Sequence, residues 1–388
     1  MIFFIVFSSF LAFVYAYTGF RLIRFLCRGK IKWLAWGLLL SFWFILICHI
    51  YLRVTFIYPG FSNILAWIGY SGLGLISYLF CLVFLRDLTI ILSLSFIKTI
   101  GLFSSQRKCP FNSERRRFLF TSTGYAITAV SGVGTLYGAV KALQPPRVVP
   151  VDIVLHARHS RLKGLKLVQF TDLHVGPSIG YGYVKKVSEI IHSLHADIIV
   201  FTGDLADGAP EDLGFDVSPL LDISAPLGKY FVTGNHEYYS GADRWIGHAA
   251  ELGFRPLLNE NIVLPYNGGI LTLSGVTDIR AGNFSPRHKS DPKKAFKGCP
   301  ENSFKLLCAH QPTSIYDASN MGVDLQLSGH THGGQYFPFN FFVRMGHSFV
   351  KGLYRYKNAL VYVSQGTGYW GPPLRTGTFP EITQINFI

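Results

Sequence analysis

Four long apolar runs, all within the first 140 residues, decide what this chain can become. Met1 to Phe20, Trp33 to Leu52 and Ile64 to Leu85 contain no Asp, Glu, Lys or Arg, and Phe118 to Val140 is a fourth uncharged run, richer in Gly, Ser and Thr. Each approaches the roughly 20 residues that a helix needs to cross a bilayer. The first lacks the basic start and the small-residue cleavage pattern of a signal peptide, so it too is read as a span. Leu88 to Phe103 is shorter and carries Lys98, which fits an interfacial or re-entrant helix better than a fifth span.

Charge supports a membrane reading over a nucleic-acid one. The net charge is +14, but residues 1–117 hold 13 Lys or Arg against Asp87 and Glu114, so +11 of it lies beside the apolar runs. That distribution follows the positive-inside rule and is not a phosphate-backbone footprint, so no nucleic-acid partner is expected. The basic clusters are Arg21, Arg24, Arg28, Lys30 and Lys32 in one loop, and Arg107, Lys108, Arg115, Arg116 and Arg117 in another. If both are cytoplasmic, a chain with four spans begins outside and returns its remaining part to the outside; a crossing by Leu88 to Phe103 would turn that part inward. The expected organisation is a helical membrane region over 1–143, a Pro-rich linker over 144–150 and a globular domain over 151–388. Six cysteines show no Cys-x-x-Cys spacing, and pairing of Cys299 with Cys308 stays open.

The globular part repeats one pattern, a short apolar strand ending in a polar cluster. Leu165–Phe170 runs into Asp172 and His174, Asp197–Phe201 into Gly203, Asp204 and Asp207, and Lys229–Val232 into Gly234-Asn235-His236-Glu237. Phe304–Cys308 runs into His310, and Val323–Leu327 into Ser328-Gly329-His330-Thr331-His332-Gly333-Gly334. Val184 to Leu194 and Ala242 to Leu252 have apolar residues at helical spacing, and 270–276, 360–364 and 382–387 read as further strands. Two sheets between helices fit this count. Taken singly, Asp172, Asp204 and Asn235 are equally turn or capping residues and His310 a structural histidine. Together, carboxylates, imidazoles and an amide arriving at one sheet edge need a shared positive charge, which divalent cations supply.

In order and spacing, Asp172-x-His174, Gly203-Asp204, Gly234-Asn235-His236-Glu237, His310 and Gly329-His330-x-His332 resemble the five signatures of the calcineurin-like metallophosphoesterases. The resemblance covers the chain from about Leu165 onward and is nearest to the membrane-attached branch. That branch includes twin-arginine-exported phosphodiesterases, transmembrane proteins with a metallophosphoesterase domain, and relatives that cleave UDP-2,3-diacylglucosamine. Arg115-Arg116-Arg117-Phe118-Leu119 resembles a twin-arginine signal placed internally.

The resemblance implies a two-sheet αββα metallophosphatase sandwich behind an all-α bundle of about four transmembrane helices. It implies two divalent ions, Mn, Fe or Zn, one held by Asp172, His174 and His332, the other by Asn235, His310 and His330, with Asp204 bridging. Such pairs clamp phosphoryl oxygens and generate hydroxide from water for in-line attack. His236 is then the acid for the leaving oxygen or a charge stabiliser, and Asp207 and Glu237 are candidates to orient it or a ligand. The expected enzyme hydrolyses a phosphomonoester, phosphodiester or pyrophosphate bond. Its substrate would be a phosphorylated small molecule or lipid, and its setting a bacterial inner membrane with an extracytoplasmic domain. UDP-2,3-diacylglucosamine cleavage and a non-enzymatic metal-binding scaffold are the alternatives. A metallo-β-lactamase-type site is excluded because no His-x-His-x-Asp-His run is present, and a zincin because His-Glu-x-x-His is absent.

Two segments are read as substrate-facing. The aromatic stretch Tyr336 to Phe342 would lie in a bilayer interface or else pack as a core hairpin. Tyr369 to Arg375 would form a rim with Arg375 meeting a phosphate, or else a rigid turn.

Overall fold

The computed structural model describes residues 2–55, 61–101 and 113–388, and the chain divides into two compact units, Met1–Ala139 and Val140–Ile388. The first unit is helical: α1 (Ile2–Leu26), α2 (Gly29–Val54), α3 (Ser62–Gly101) and α4 (Ser113–Ala142). Among the described residues, three stretches have the length and composition to cross a membrane: Phe4–Leu26, Gly29–Arg53 and Ser62–Thr99. The expected fourth span is a helix, α4, but is not one of these three. Its Gly, Ser and Thr residues and the arginines at its start lower its hydropathy.

Leu88 onward is not a separate interfacial or re-entrant helix either, since α3 continues unbroken to Gly101; Phe103 lies outside the described residues. From Leu75 to Ile100 the sequence offers no Gly or Pro at which to stop. Val14 and Tyr15 of α1 pack with Ile76 of α3, and Leu39, Phe42 and Trp43 of α2 close around them. Asp87 is not left as a lone buried charge: Tyr17 Oη donates to it at 2.6 Å, and Arg21 and Arg86 pair with it.

The second unit carries twelve strands among the described residues. In chain order they are β1 (Arg147–Ile153), β2 (Lys166–Phe170), β3 (Ile198–Phe201), β4 (Lys229–Phe231), β5 (Arg255–Pro256) and β6 (Glu260–Tyr266). There follow β7 (Gly269–Gly275), β8 (Phe304–Cys308), β9 (Leu325–Ser328), β10 (Gly352–Tyr356), β11 (Ala359–Val363) and β12 (Glu381–Phe387). They form two six-stranded mixed sheets, ordered β1-β12-β2-β3-β4-β5 and β10-β11-β9-β8-β7-β6. Helices α5 (Tyr181–Ser193), α6 (Pro210–Val217), α7 (Asn235–Ser240) and α8 (Ala242–Glu251) lie along the chain of the first sheet. The shorter α9 (Pro292–Ala295), α10 (Ile315–Ala318) and α11 (Phe339–Gly346) belong to the second.

Strand alternation explains the layers. Leu167, Ile198 and Val200 point into a core shared with Leu271, Leu273, Leu306, Leu325 and Leu327 of the other sheet. Their sequence neighbours Val168, Phe170, Ile199 and Phe201 point the opposite way, onto Val184, Val187 and Ile191 of α5 and Trp245 of α8. Leu307, Val361 and Val363 cover the far face against Ala295, Ile315 and Ala318. Side chains of central strands are thus buried on both faces, which is why these strands read as continuous apolar runs. The result is the expected αββα sandwich.

One expectation is corrected here, and one open pairing is decided. Residues 147–150 are not linker: β1 pairs in parallel with β12 from Arg147↔Glu381 to Ile153↔Phe387. Pro150 is compatible with this because β1 is an edge strand, where a missing N–H costs no ladder bond. Cys299 and Cys308 do not pair; both are free thiols.

Candidate metal centre

The loops leaving β2, β3, β4, β8 and β9 deliver their polar residues to one place. His174 Nε2 lies 3.1 Å from His332 Nε2, and Asp172 Oδ1 is 3.5 Å from His332 Nε2 and 4.0 Å from His174 Nε2. Beside them, His310 Nε2 is 3.1 Å from both His330 Nδ1 and Asp204 Oδ2. Asp204 Oδ2 also lies 3.7 Å from His174 Nε2, so this one carboxylate faces both groups. Asp172, His174 and His332 form one cluster able to hold an ion, and Asp204, His310 and His330 another.

Three observations fit these residues to divalent cations. First, imidazole nitrogens about 3 Å apart have the separation of neighbouring ligands on one ion with bonds of ~2.1 Å. Second, Asn235 Oδ1 is buried with no hydrogen-bond partner, an orphaned acceptor at the very residue assigned to the second ion. Third, the His310 ring is oriented for ligation, because its Nδ1 donates to the Thr202 carbonyl at 2.8 Å and so aims Nε2 at Asp204.

Electrostatics point the same way. Burial above all, reinforced by neighbouring positive charge, holds His330 and His332 well below the usual imidazole range, in the neutral form that ligates metals. Burial works against ionisation of Asp204, but His310, His236 and His174 outweigh it and hold the carboxyl well below its ordinary value. His310 is driven well above its ordinary value, since Asp204, Asp172 and Asp278 together overcome its burial. Burial raises Asp172. The carboxylates of this pocket therefore call for positive charge.

The local backbone is built for the purpose. Asp172, His174, Asp204, His330 and His332 all have φ between 49° and 72°, a left-handed region that non-glycine residues seldom adopt. Such strain concentrates at functional sites. Asp172 accepts the His330 N–H at 3.0 Å, and a Cβ on Gly329 would collide with that same carboxylate, so the residue before His330 must be glycine.

Around the ligands, each further residue has a definite partner. Asp207 Oδ1 meets His236 Nδ1 at 2.5 Å and His174 Nδ1 at 3.3 Å, bracing two rings at once. His236 Nε2 is 4.0 Å from Asp204 Oδ2, and its ring is bordered by Tyr239 and Trp370. Glu237, fully buried, accepts the N–H groups of Asp204, Leu205 and Gly234 at 3.0, 2.6 and 2.6 Å, so it ties two ligand loops together. Burial and the Asp204 charge push its carboxyl up to about 6 against those three bonds.

Arg375 does not form a rim. It is fully buried, and its guanidinium donates to the carbonyls of Gln365, Gly366, Gly368 and Phe379, with Nη2 3.5 Å from His332 Nδ1. The rigid-turn alternative is the one realised. Asp278, beyond β7, is a buried carboxylate that sequence reasoning missed: it accepts Gln311 Nε2 at 2.8 Å and contributes to the field on His310. No local cluster marks it, since Val276-Thr277-Asp278 offers a single acidic side chain and no histidine beside it.

These candidate ligands at the strand ends of an αββα sandwich point to a metallophosphoesterase, and comparison with known proteins gives the family. Residues 165–334 match the family model for calcineurin-like phosphoesterases. A transmembrane protein with metallophosphoesterase domain from Danio rerio is 31% identical over 382 residues, covering 95% of this chain and 85% of that protein. An uncharacterized metallophosphoesterase from Helicobacter pylori is 32% identical over 384 residues, covering 96% and 95%. A Bos taurus transmembrane protein with metallophosphoesterase domain is 37% identical over 267 residues; the match spans 66% of this chain and 60% of that protein. The chain belongs to the calcineurin-like metallophosphoesterase family, in its membrane branch.

Proposed function

We propose that this protein is a dinuclear metal-dependent phosphoesterase. Asp172, His174 and His332 would hold one cation and Asn235, His310 and His330 the other, with the Asp204 carboxylate available to both. Bound there, Mn, Fe or Zn ions supply the positive charge that receives the phosphoryl oxygens and acidifies a water to the attacking hydroxide. The protein's own groups do the rest. Asp204 stays ionised among three imidazoles, and Asp207 accepts from His236 Nδ1, so that His236 Nε2 faces the pocket and gives its proton to the leaving oxygen. The observation that carries this reading is the convergence of both ligand groups on Asp204, with Asn235 Oδ1 buried and unpaired.

The substrate we propose is a lipid-linked or envelope phosphoester, on the strength of the three apolar helices in the same chain. We place the protein in a bacterial inner membrane with the second unit outside. That orientation rests on α4 crossing: residues 118–140 are uncharged, and their length suffices.

The test uses the full-length protein in detergent, with metal content measured by mass spectrometry and hydrolysis measured on aryl phosphomonoesters and phosphodiesters. Wild type should carry two ions and turn over at least one substrate, and Asp204→Asn should lose both properties. A protein that binds two ions and hydrolyses neither ester would be a scaffold.

A further inference from the structure

The aromatic stretch after the His330–Gly334 turn folds neither as a loop nor as a hairpin. Tyr336 is buried, and Phe339–Gly346 forms α11. The helix is mounted with its apolar side outward. Phe339, Phe341, Phe342 and Met345 are 44%, 60%, 60% and 84% exposed. At 100° per residue these four sweep about half the circumference, while Asn340 lies on the other half. Asn340 faces inward, where it comes so close to Gly334 that a Cβ there would collide with its Cα. Four large apolar side chains in one exposed helix are not scattered surface residues; a contiguous patch of this kind marks an interaction site.

The patch is joined to the metal centre. Gly334, on which α11 rests, closes the turn that carries His330 and His332, and His347, directly after α11, sets its ring 5.8 Å from that of His330. Gln335 of the same turn donates to the Trp370 carbonyl and accepts the Trp370 N–H, fixing an indole that is 52% exposed beside His236. Arg344 is exposed on the flank of α11, and its charge, after burial, helps to hold the Lys351 ammonium below its ordinary value. Outward Phe, Met and Trp bordered by cationic side chains is the pattern of a helix that lies in a membrane interface, its apolar face among acyl chains and its basic residues at anionic headgroups. The same chain carries apolar helices long enough to cross a membrane.

We propose that α11 together with Trp370 is a lipid-docking surface that seats the mouth of the metal centre on the bilayer. This goes beyond the hydrolytic reading and stands on the surface itself. It assigns the occupant as an anionic lipid surface, with a protein partner or a second copy of the chain as the rival outcomes.

The experiment uses the full-length chain with Cys27, Cys48, Cys81, Cys109 and Cys299 replaced by Ser and buried Cys308 kept. Met345→Cys or Phe341→Cys is labelled with an environment-sensitive dye, and the protein is placed in nanodiscs containing phosphatidylglycerol. Glu251→Cys on α8, whose side chain is 75% exposed, is the control on the same unit. Doxyl-lipid quenching should be at least about threefold stronger at 341 and 345 than at 251, and iodide quenching correspondingly weaker. Equal iodide access at all three sites, or shielding at 341 and 345 that persists in lipid-free detergent and grows with protein concentration, would overturn the proposal. Hydrolysis of a soluble aryl phosphodiester by the same samples separates the two readings. Turnover without lipid quenching removes only the docking surface, and lipid quenching without turnover removes only the esterase.

Discussion

Replacing Arg375 with Met is the sharpest test of how this site is held. Met preserves much of the volume and removes every donor. The guanidinium now serves four carbonyls, at 2.8 Å for Gln365, 3.0 Å for Gly366, which also accepts the Glu381 N–H, and 3.1 Å for the half-buried Phe379, with Gly368 reached by both Nε and Nη2. Each acceptor left unsatisfied costs about 1–3 kcal/mol, partly offset because the buried charge is also removed, so a net loss of about 3–5 kcal/mol is expected. For a unit of this size one kcal/mol moves Tm by about 2–4 °C, giving a fall of roughly 6–20 °C. The damage should reach the ligands, because the segment that Arg375 clasps also donates to the ligand loop, Thr367 N–H to Thr171 O at 2.8 Å and Gly368 N–H to Asp172 O at 2.9 Å. Arg375→Lys should rescue little, since one ammonium cannot span four acceptors. The assay is thermal unfolding of the detergent-solubilised chain at several heating rates, with bound metal measured in parallel. A change in Tm below about 2 °C combined with a raised KM would refute the clasp and restore a substrate-facing Arg375.

Three further outcomes are expected. His236→Ala should lower kcat about 10²–10⁴-fold for esters with poor leaving groups and far less for nitrophenyl esters, with metal content unchanged; equal losses on both would remove the acid role. Chelation should lower the unfolding temperature and Mn should restore it, by about 4 kcal/mol of stabilisation when free metal is a thousandfold above its Kd; a melting curve indifferent to chelator would argue against resident ions. Protease added to intact spheroplasts should cleave the second unit if α4 crosses the membrane, whereas protection until lysis would place that unit in the cytoplasm.

The convergence of these residues was legible because each candidate ligand lies where an apolar strand abruptly turns polar. Strand ends such as Phe170 before Asp172 and Phe201 before Asp204 are local signals, and the sandwich follows from the same runs. What was not legible depends on distant partners. Arg375 reads as a surface cation until four carbonyls converge on it, and Asp278 has no motif because its importance comes from the His310 field. Edge strand β1 was hidden by Pro150 and the two prolines before it, since pairing with β12 is set by a segment more than 200 residues further along the chain. The aromatic run before Arg344 stayed open between bilayer interface and core because composition does not reveal which side of a helix faces in; the Gly334–Asn340 contact decides that.

The first sheet contributes Asp172, His174, Asp204 and Asn235, and the second His310, His330 and His332, so each pair of ligand groups straddles the seam between sheets. A cation seated among them would act as a stitch across that seam, joining positions such as 172 and 332 that are distant along the backbone. Loaded protein should therefore exchange its amide hydrogens in both sheets as one cooperative block, and slippage of one sheet against the other should be felt first as loss of the ion.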